Sequence, residues 1–498
     1  MDSDVVIVGG GTAGAVLAAR LSEDPARTVT LIEAGPDYRG DELPAELRDG
    51  AATELDPTTR DHNWVWDGRP ARGSARQPIL GRRVTGGGSA INGQVFLRGS
   101  PADFDLWAGE AGAAWSFEAV LPFYRRAETD LDFGSAAWHG SSGPVPVRRF
   151  GEGELLEAQV RFRDACVAAG FAATADHNAP DATGVGVVPV NNLAGIRMST
   201  ALCYLELARD RPNLTILGRT TATRVLISGQ RTCGVEIGRE GAPERILADQ
   251  VIISAGSVGS VLLMVQSGLG PARELRRLGL PVLADLPAVG QNLEDHSVVR
   301  TSWRVQDGAV ADPAAFRNQM CLRFSSGGFP GGNDLKLSVS SLSWSYPGCI
   351  DLYTGVQAGA SRGRVRLERS GGRLVASVRS RLLDAASDRR RLRDAVDTAI
   401  EMGRGDAFRG FVTGQVSPAQ PVTDAWIARV VRSGLHMSCT NRMGTTPDSV
   451  VDDTGAVHGV EGLRIVDASI MPHLVRGNPM ATVVMVAERI AAFLQNPA

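Results

Sequence analysis

Apolar residues follow two different rhythms along this chain of 498 residues. Near its start, "DVVIVGGGTAGAVLAARLSED" (residues 4–24) opens on an unbroken apolar run, Val5 to Val8. It then breaks at glycines before a stretch of small residues with helical spacing. A short unbroken run of this kind predicts a parallel strand covered on both faces. "TVTLIEAG" (28–35) predicts a second such strand, and "DQVIISAGSVGSVLLMVQSGLG" (249–270) a third, followed by a helix closed by Gly268 and Gly270. "GLRIVDASIMP" (462–472) and "NPMATVVMVAERIAAFL" (478–494) predict a further buried strand and a long apolar helix. Residues 300 to 425 read differently. "DLKLSVSSLS" (334–343) and "GRVRLERSGGRLVASVR" (363–379) alternate polar and apolar, the mark of antiparallel strands with one wetter face. "ELLEAQVRFRDACVAA" (154–169) predicts a helix, and "LDAASDRRRLRDAVDTAIEMG" (383–403) a charged, surface-type one. "NLTILGRTTATRVLISGQRTCGVEI" (213–237) predicts strands turning at Ser228–Gly229. α/β segments thus flank a more antiparallel middle, which predicts two spatial domains threaded more than once. No internal repeat or extended low-complexity tract interrupts them.

Composition narrows the class. With 43% apolar and 21% charged residues, the chain fits a globular protein. A formal net charge of -3 supplies no field that would draw it to nucleic acid. Lys336 is the only lysine among 52 basic residues, a bias that reads as codon usage. The six cysteines stand singly with no CxxC pair, which predicts reduced thiols and neither a disulfide framework nor a zinc site. No apolar run reaches the roughly 18 residues of a membrane span. "MDSDVVIVGG" leaves no room for a signal peptide, so a cytoplasmic location is expected.

The glycines at the first strand–helix join carry the first chemistry. Gly9 permits the tight turn, Gly11 lets a pyrophosphate approach the backbone, and Gly14 lets the helix pack close to the strand. The helix N-terminus adds unpaired N–H groups and partial positive charge. Glu33 ends the second strand, where a carboxylate accepts hydrogen bonds from ribose hydroxyls. Strand, glycine turn, helix and acid together predict a Rossmann-type dinucleotide site, with NAD and FAD both open.

Five ordered blocks go further: the opening 5–35, "GGGSAINGQVFLRGSPADFDLWA", "AGSVGSVLLMVQSGLGPARELRRLGLPVLADLPAVGQNLEDH", "HMSCTNRMG", and "GLRIVDASIMPHLVRGNPMATVVMVAERIA". Together they resemble the glucose–methanol–choline (GMC) oxidoreductases, FAD enzymes that oxidise alcohols, and within them a choline-dehydrogenase or hydroxymethylfurfural-oxidase-like branch. Residues 300 to 420 match little beyond the general pattern. The resemblance implies an α/β fold: a Rossmann-type FAD-binding domain with an interleaved α+β substrate domain on an antiparallel sheet. The expected FAD-binding domain is discontinuous, over 1–150, 211–299 and 426–498; the substrate domain takes 151–210 and 300–425. Beyond the three glycines, the resemblance implies FAD contacts at Thr12, Ala13, Glu33 and Ala34, at Trp64 over the adenine, and at Asn92, Gly93, Gln94 and Val95 beside the flavin. It adds Val225 near the adenine, and Asp467 and Ala468 at the pyrophosphate and ribityl chain. Three positions depart from the family. Ile91 stands where some relatives join a histidine to the flavin, so noncovalent FAD is expected. Val261 replaces a usual proline, where only the helix start is expected to feel it. Cys439 replaces a usual glycine, which puts a positive φ there in doubt.

His436, in "SGLHMSCTNRMGT", has too few ligand-type neighbours for a metal, and no metal site is expected. In the family's active-site block it faces the flavin, which implies a general base. An imidazole with a pKa of roughly 6.5 is largely neutral at pH 7 and able to accept the alcohol's proton. Asn478, in "RGNPM", matches the second member of the catalytic pair and would hold the alcohol oxygen; it also suits a helix N-cap. His473 reads as packing or as lining the pocket, and His296 as tying a loop. The expected partners are a small-molecule alcohol and oxygen or another electron acceptor, with no nucleic acid. A hydroxynitrile lyase of the same fold with redox-silent flavin, or a nonenzymatic nucleotide-binding protein, are the alternatives.

Overall fold

The computed structural model describes residues 2–51, 61–238 and 243–496. The opening strand, Asp2–Val8, lies in the middle of a seven-stranded sheet. Val29–Ile32 pairs parallel on one side, with Leu214–Leu217 beyond it; Glu244–Ile253 pairs parallel on the other. Val5 to Val8 are covered on both faces, which is why that run carries no alternation. Beyond Glu244–Ile253, the antiparallel strands Arg231–Gly238 and Thr221–Ser228 extend the sheet, while Leu463–Ile465 pairs parallel with its end. The helices Thr12–Leu21 and Met480–Gln495 pack on each other. One core therefore joins the head of the chain to its tail. Val261 lies inside the helix Gly256–Gln266, fully buried in that core, rather than touching only the helix start.

A second sheet runs antiparallel in the order Val412–Ser417, Ser297–Val305, Cys349–Val356, Leu335–Ser340, Met320–Phe324, Gly184–Val187. The helices Glu157–Ala168 and Ala386–Arg404 cover one face. Leu335, Leu337 and Val339 join the core beneath them, as do Met320, Leu322 and Phe324. Strand alternation then turns Lys336, Ser338, Cys321 and Arg323 to the opposite face. The hairpin Arg364–Ser370 and Arg373–Arg379 does not join this sheet. It pairs with Asn63–Arg69 and Gln77–Arg82, and its Val365, Leu367, Ala376 and Val378 enter the first core. Part of 300–425 is thus built onto the dinucleotide side. Among the described residues, no helix is long and apolar enough to cross a membrane.

Candidate active site

The glycine turn is as tight as its sequence predicts. Gly9 has φ +105°, and a Cβ there would sit 2.5 Å from the Ser254 carbonyl oxygen. A Cβ on Gly14 would lie 1.9 Å from the Gly9 oxygen, so only glycine lets the helix come this close. The loop around Gly86–Gly88 backs onto it: the Gly86 N–H donates to the Gly10 oxygen at 2.8 Å, and Thr12 Oγ1 donates to the Gly86 oxygen. Gly11 caps the helix with no side-chain acceptor, so no side chain satisfies the N–H groups of its first turn. Glu33 is buried. Its Oε2 accepts the Gly10 N–H at 2.9 Å and its Oε1 the Gly35 N–H at 2.8 Å. Burial pushes its pKa up, and these two amides pull it down. Each oxygen keeps a further lone pair for a ribose hydroxyl. Ala34 is half-buried beside it, and Trp64 is 37% exposed with the Arg83 guanidinium over its ring.

The loop after Gly88 runs toward the tail of the chain. Asn92 Nδ2 donates to Met480 Sδ at 3.1 Å, and Asn92 Oδ1 accepts the Gln94 N–H. Around Gly93 a Cβ would meet nothing within 4 Å, so this turn borders open space, and Val95 is half-buried. The Gln94 side chain instead points inward, donating to the Gly50 oxygen and accepting from Asn192. Asp467 is a knot: its carboxylate accepts the Gly256 N–H, the Ser260 hydroxyl and the Ser469 N–H. Ala468 follows it, half-buried, and accepts the Cys439 N–H. Ser257 Oγ donates to the Met437 oxygen and Thr440 Oγ1 to the Ser257 oxygen, so the 437–440 loop is fastened to the same helix start. Cys439 does adopt φ +71°, fully buried. Val225 lies on the edge strand Thr221–Ser228, its side chain buried in the sheet–helix core and its N–H donating to Ser267 Oγ at 2.8 Å.

His436 and Asn478 meet. Asn478 Nδ2 lies 3.2 Å from His436 Nε2, although 42 residues separate them. Pro479, not Asn478, caps the last helix, which frees the amide. Two further residues complete the arrangement. Lys336 Nζ donates to Asn478 Oδ1 at 2.8 Å. His296 Nδ1 lies 2.8 Å from His436 Nδ1, and His296 Nε2 lies 3.1 Å from the Val475 oxygen. An ammonium only donates and a carbonyl only accepts, so the two ends fix every bond between them. The lysine holds Oδ1 toward itself, and Nδ2 therefore donates to His436 Nε2. At the other end, His296 Nε2–H donates to Val475, so His296 Nδ1 accepts the His436 Nδ1–H. Both rings are neutral in this chain. Burial, and then Lys336, lowers the His296 pKa to about 3. Burial, then His296 and Lys336, holds His436 well below its usual value. Asp295 sits behind, accepting the His436 backbone N–H at 3.0 Å and the Ser433 hydroxyl; burial raises it to about 7.

His473 bridges Glu294 at 3.0 Å and Glu110 at 2.9 Å. Glu128, Asp130 and His139 lie together, but Arg98 and Arg149 already pair with the two carboxylates. The part His296 plays was not read from "NLEDH", because its partner lies 140 residues away. Lys336 left a clearer trace, as the single lysine in an arginine-rich chain.

The chain matches the family models for GMC oxidoreductases over residues 3–298 and 359–487. It belongs to the GMC oxidoreductase family. As a member of it, the chain is an FAD-dependent oxidoreductase. It is 37% identical to a GMC-type oxidoreductase of Rhodococcus erythropolis, over 99% of this chain and 98% of that one. It is 34% identical to an oxygen-dependent choline dehydrogenase of Pectobacterium atrosepticum, covering 99% and 94%. Among solved structures it is similar to pyridoxine 4-oxidase from Mesorbium loti, with TM-score 0.92 and 29% identity over the whole of both chains. The glycine turn, the uncapped helix start and the lone pairs of Glu33 fit the dinucleotide such an enzyme carries.

Proposed function

We propose that this GMC oxidoreductase oxidises an alcohol, with His436 as general base and Asn478 as hydrogen-bond partner of the alcohol oxygen. The observation that carries this reading is the direction of the hydrogen-bond chain: it presents an unprotonated Nε2 beside a carboxamide donor. Gly9, Gly11, Gly14, Thr12 and Ala13 would hold the pyrophosphate, Glu33, Ala34 and Trp64 the adenosine end. Asn92, Gly93 and Val95 would border the ring and Ala468 the ribityl side, while Gln94 and Asp467 fix that loop and that turn through their own hydrogen bonds. FAD, when bound, supplies the acceptor for the hydride that leaves the carbinol carbon. The chain's residues do the remainder: Nε2 takes the hydroxyl proton, and the amide keeps the oxygen in place while it does so.

The relatives' names support an alcohol donor, since choline and pyridoxine both carry a primary hydroxyl. We read the FAD as noncovalent, because Ile91 packs among Leu47, Val84 and Ala90 and offers no nucleophile. Anaerobic mixing of the purified yellow protein with a panel of alcohols tests the reading. Bleaching by one of them, reversed by oxygen or by a dye, supports it and identifies the acceptor. Bound flavin that no alcohol bleaches would favour redox-silent chemistry instead.

A further inference from the structure

The polar face of the second sheet carries an unbalanced positive charge next to the His436–Asn478 pair. Lys336 and Arg323 are directly opposite each other on neighbouring antiparallel strands, and both point to that face. Like charges so placed destabilise a strand pair. Arg323 is 3% exposed, donates to the His177 oxygen at 2.9 Å, and leaves its Nε buried without a partner. Lys336 is half-buried and spends one of its three N–H donors on Asn478. Among the described residues no carboxylate lies within ion-pair distance of it. Asp103 pairs with Arg476, and Asp334, two residues before Lys336, pairs with Arg391. The surroundings register the excess: burial pushes the Cys321 thiol up, yet His177, Lys336 and Arg323 bring it down to about 7. Burial lowers the Lys336 pKa, Cys321 raises it and Arg323 lowers it further, so an anion brought by the ligand would favour the charged ammonium and offset the cost of holding it there.

We propose that Lys336, backed by Arg323, is an anion-recognition subsite, and that the alcohol this enzyme oxidises carries a carboxylate close to its carbinol carbon. The proposal rests on His436 and Asn478 as the place where the hydroxyl binds. Lys336 touches the far side of the same amide that faces His436, so the carboxylate belongs within about two or three carbons of the reacting one. The reaction leaves the carboxylate unchanged: the carbinol loses a hydride to the flavin and a proton to His436, giving an oxo acid. A quaternary ammonium alcohol such as choline would be repelled by the same group.

Holoenzyme is mixed anaerobically with glycolate and 3-hydroxypropanoate, with their neutral amides, and with choline, and flavin bleaching is timed. The proposal expects each acid to exceed its amide in kcat/KM by about ten- to hundred-fold, the worth of a charge-assisted hydrogen bond. In K336Q that preference falls to roughly parity. Propanoate, added as an unreactive probe, perturbs the wild-type flavin spectrum and binds K336Q at least about tenfold more weakly. Equal use of acid and amide by wild type, or an undiminished preference in K336Q, overturns the subsite. Should no panel member bleach the flavin, the propanoate titration decides: affinity independent of Lys336 overturns the proposal. A H436A enzyme that reduces as fast as wild type while keeping the acid preference would overturn only the base assignment.

Discussion

His296 is the strongest test of the hydrogen-bond chain, because it touches the proposed base and nothing that binds substrate. His296→Leu removes the acceptor 2.8 Å from His436 Nδ1 and strands that N–H in a buried setting. When Nε2 takes the alcohol proton, the ring becomes an imidazolium, and its Nδ1–H bond becomes charge-assisted. Losing such a bond costs about 1.5–3 kcal/mol. At about 1.4 kcal/mol per tenfold, flavin reduction should slow by roughly ten- to hundred-fold. Anaerobic stopped-flow at saturating substrate reads the effect in the reduction rate, with little change in the substrate concentration giving half the maximal rate. His296→Asn offers an amide oxygen in place of the ring nitrogen and should recover much of the loss, which mere disturbance of packing would not allow. An undiminished rate in His296→Leu with full flavin content would refute the direction assigned to the chain.

Three further outcomes follow from the same geometry. Glu33→Ala removes the acceptor of two glycine-loop amides and should weaken FAD binding by at least about tenfold in a fluorescence titration of the apoprotein; unchanged affinity would exclude the ribose role. At Cys439, with φ +71°, glycine relieves roughly 1–2 kcal/mol of backbone strain but surrenders a buried thiol. Cys439→Gly should therefore stay within about 1 kcal/mol of wild type in chemical denaturation, whereas β-branched Cys439→Val should lose clearly more. His296 titrates near 3 when folded and near 6.5 when unfolded, so below pH 6.5 the unfolded chain takes up a proton that the native chain refuses. Wild type should lose roughly 2 kcal/mol more than His296→Asn between pH 6.5 and 4.5, by denaturation at both pH values, and equal losses would show that the ring is not held neutral.

What the chain discloses before its fold is known follows the locality of the physics. Val5 to Val8, Gly9, Gly11 and Gly14 are legible because strand, turn and helix are neighbours in sequence, and one backbone close approach fixes their residue types. The alternation of Leu335, Lys336 and Leu337 likewise reveals a two-faced strand. Partner choice is not local. Nothing in "GRVRLERSGGRLVASVR" tells that this hairpin pairs with Asn63–Arg69 rather than with its neighbours in the chain. His296 and Lys336 reach the site across 140 and 142 residues respectively, and the residues flanking them do not reveal which partner they meet.

The account stands on His436 Nε2 being the proton acceptor. FAD-loaded His436→Ala, mixed anaerobically with the best alcohol found for wild type, tests this most directly. Retained flavin with reduction slowed by about 10²–10⁴-fold is the predicted result. Retained flavin that bleaches at the wild-type rate would contradict it.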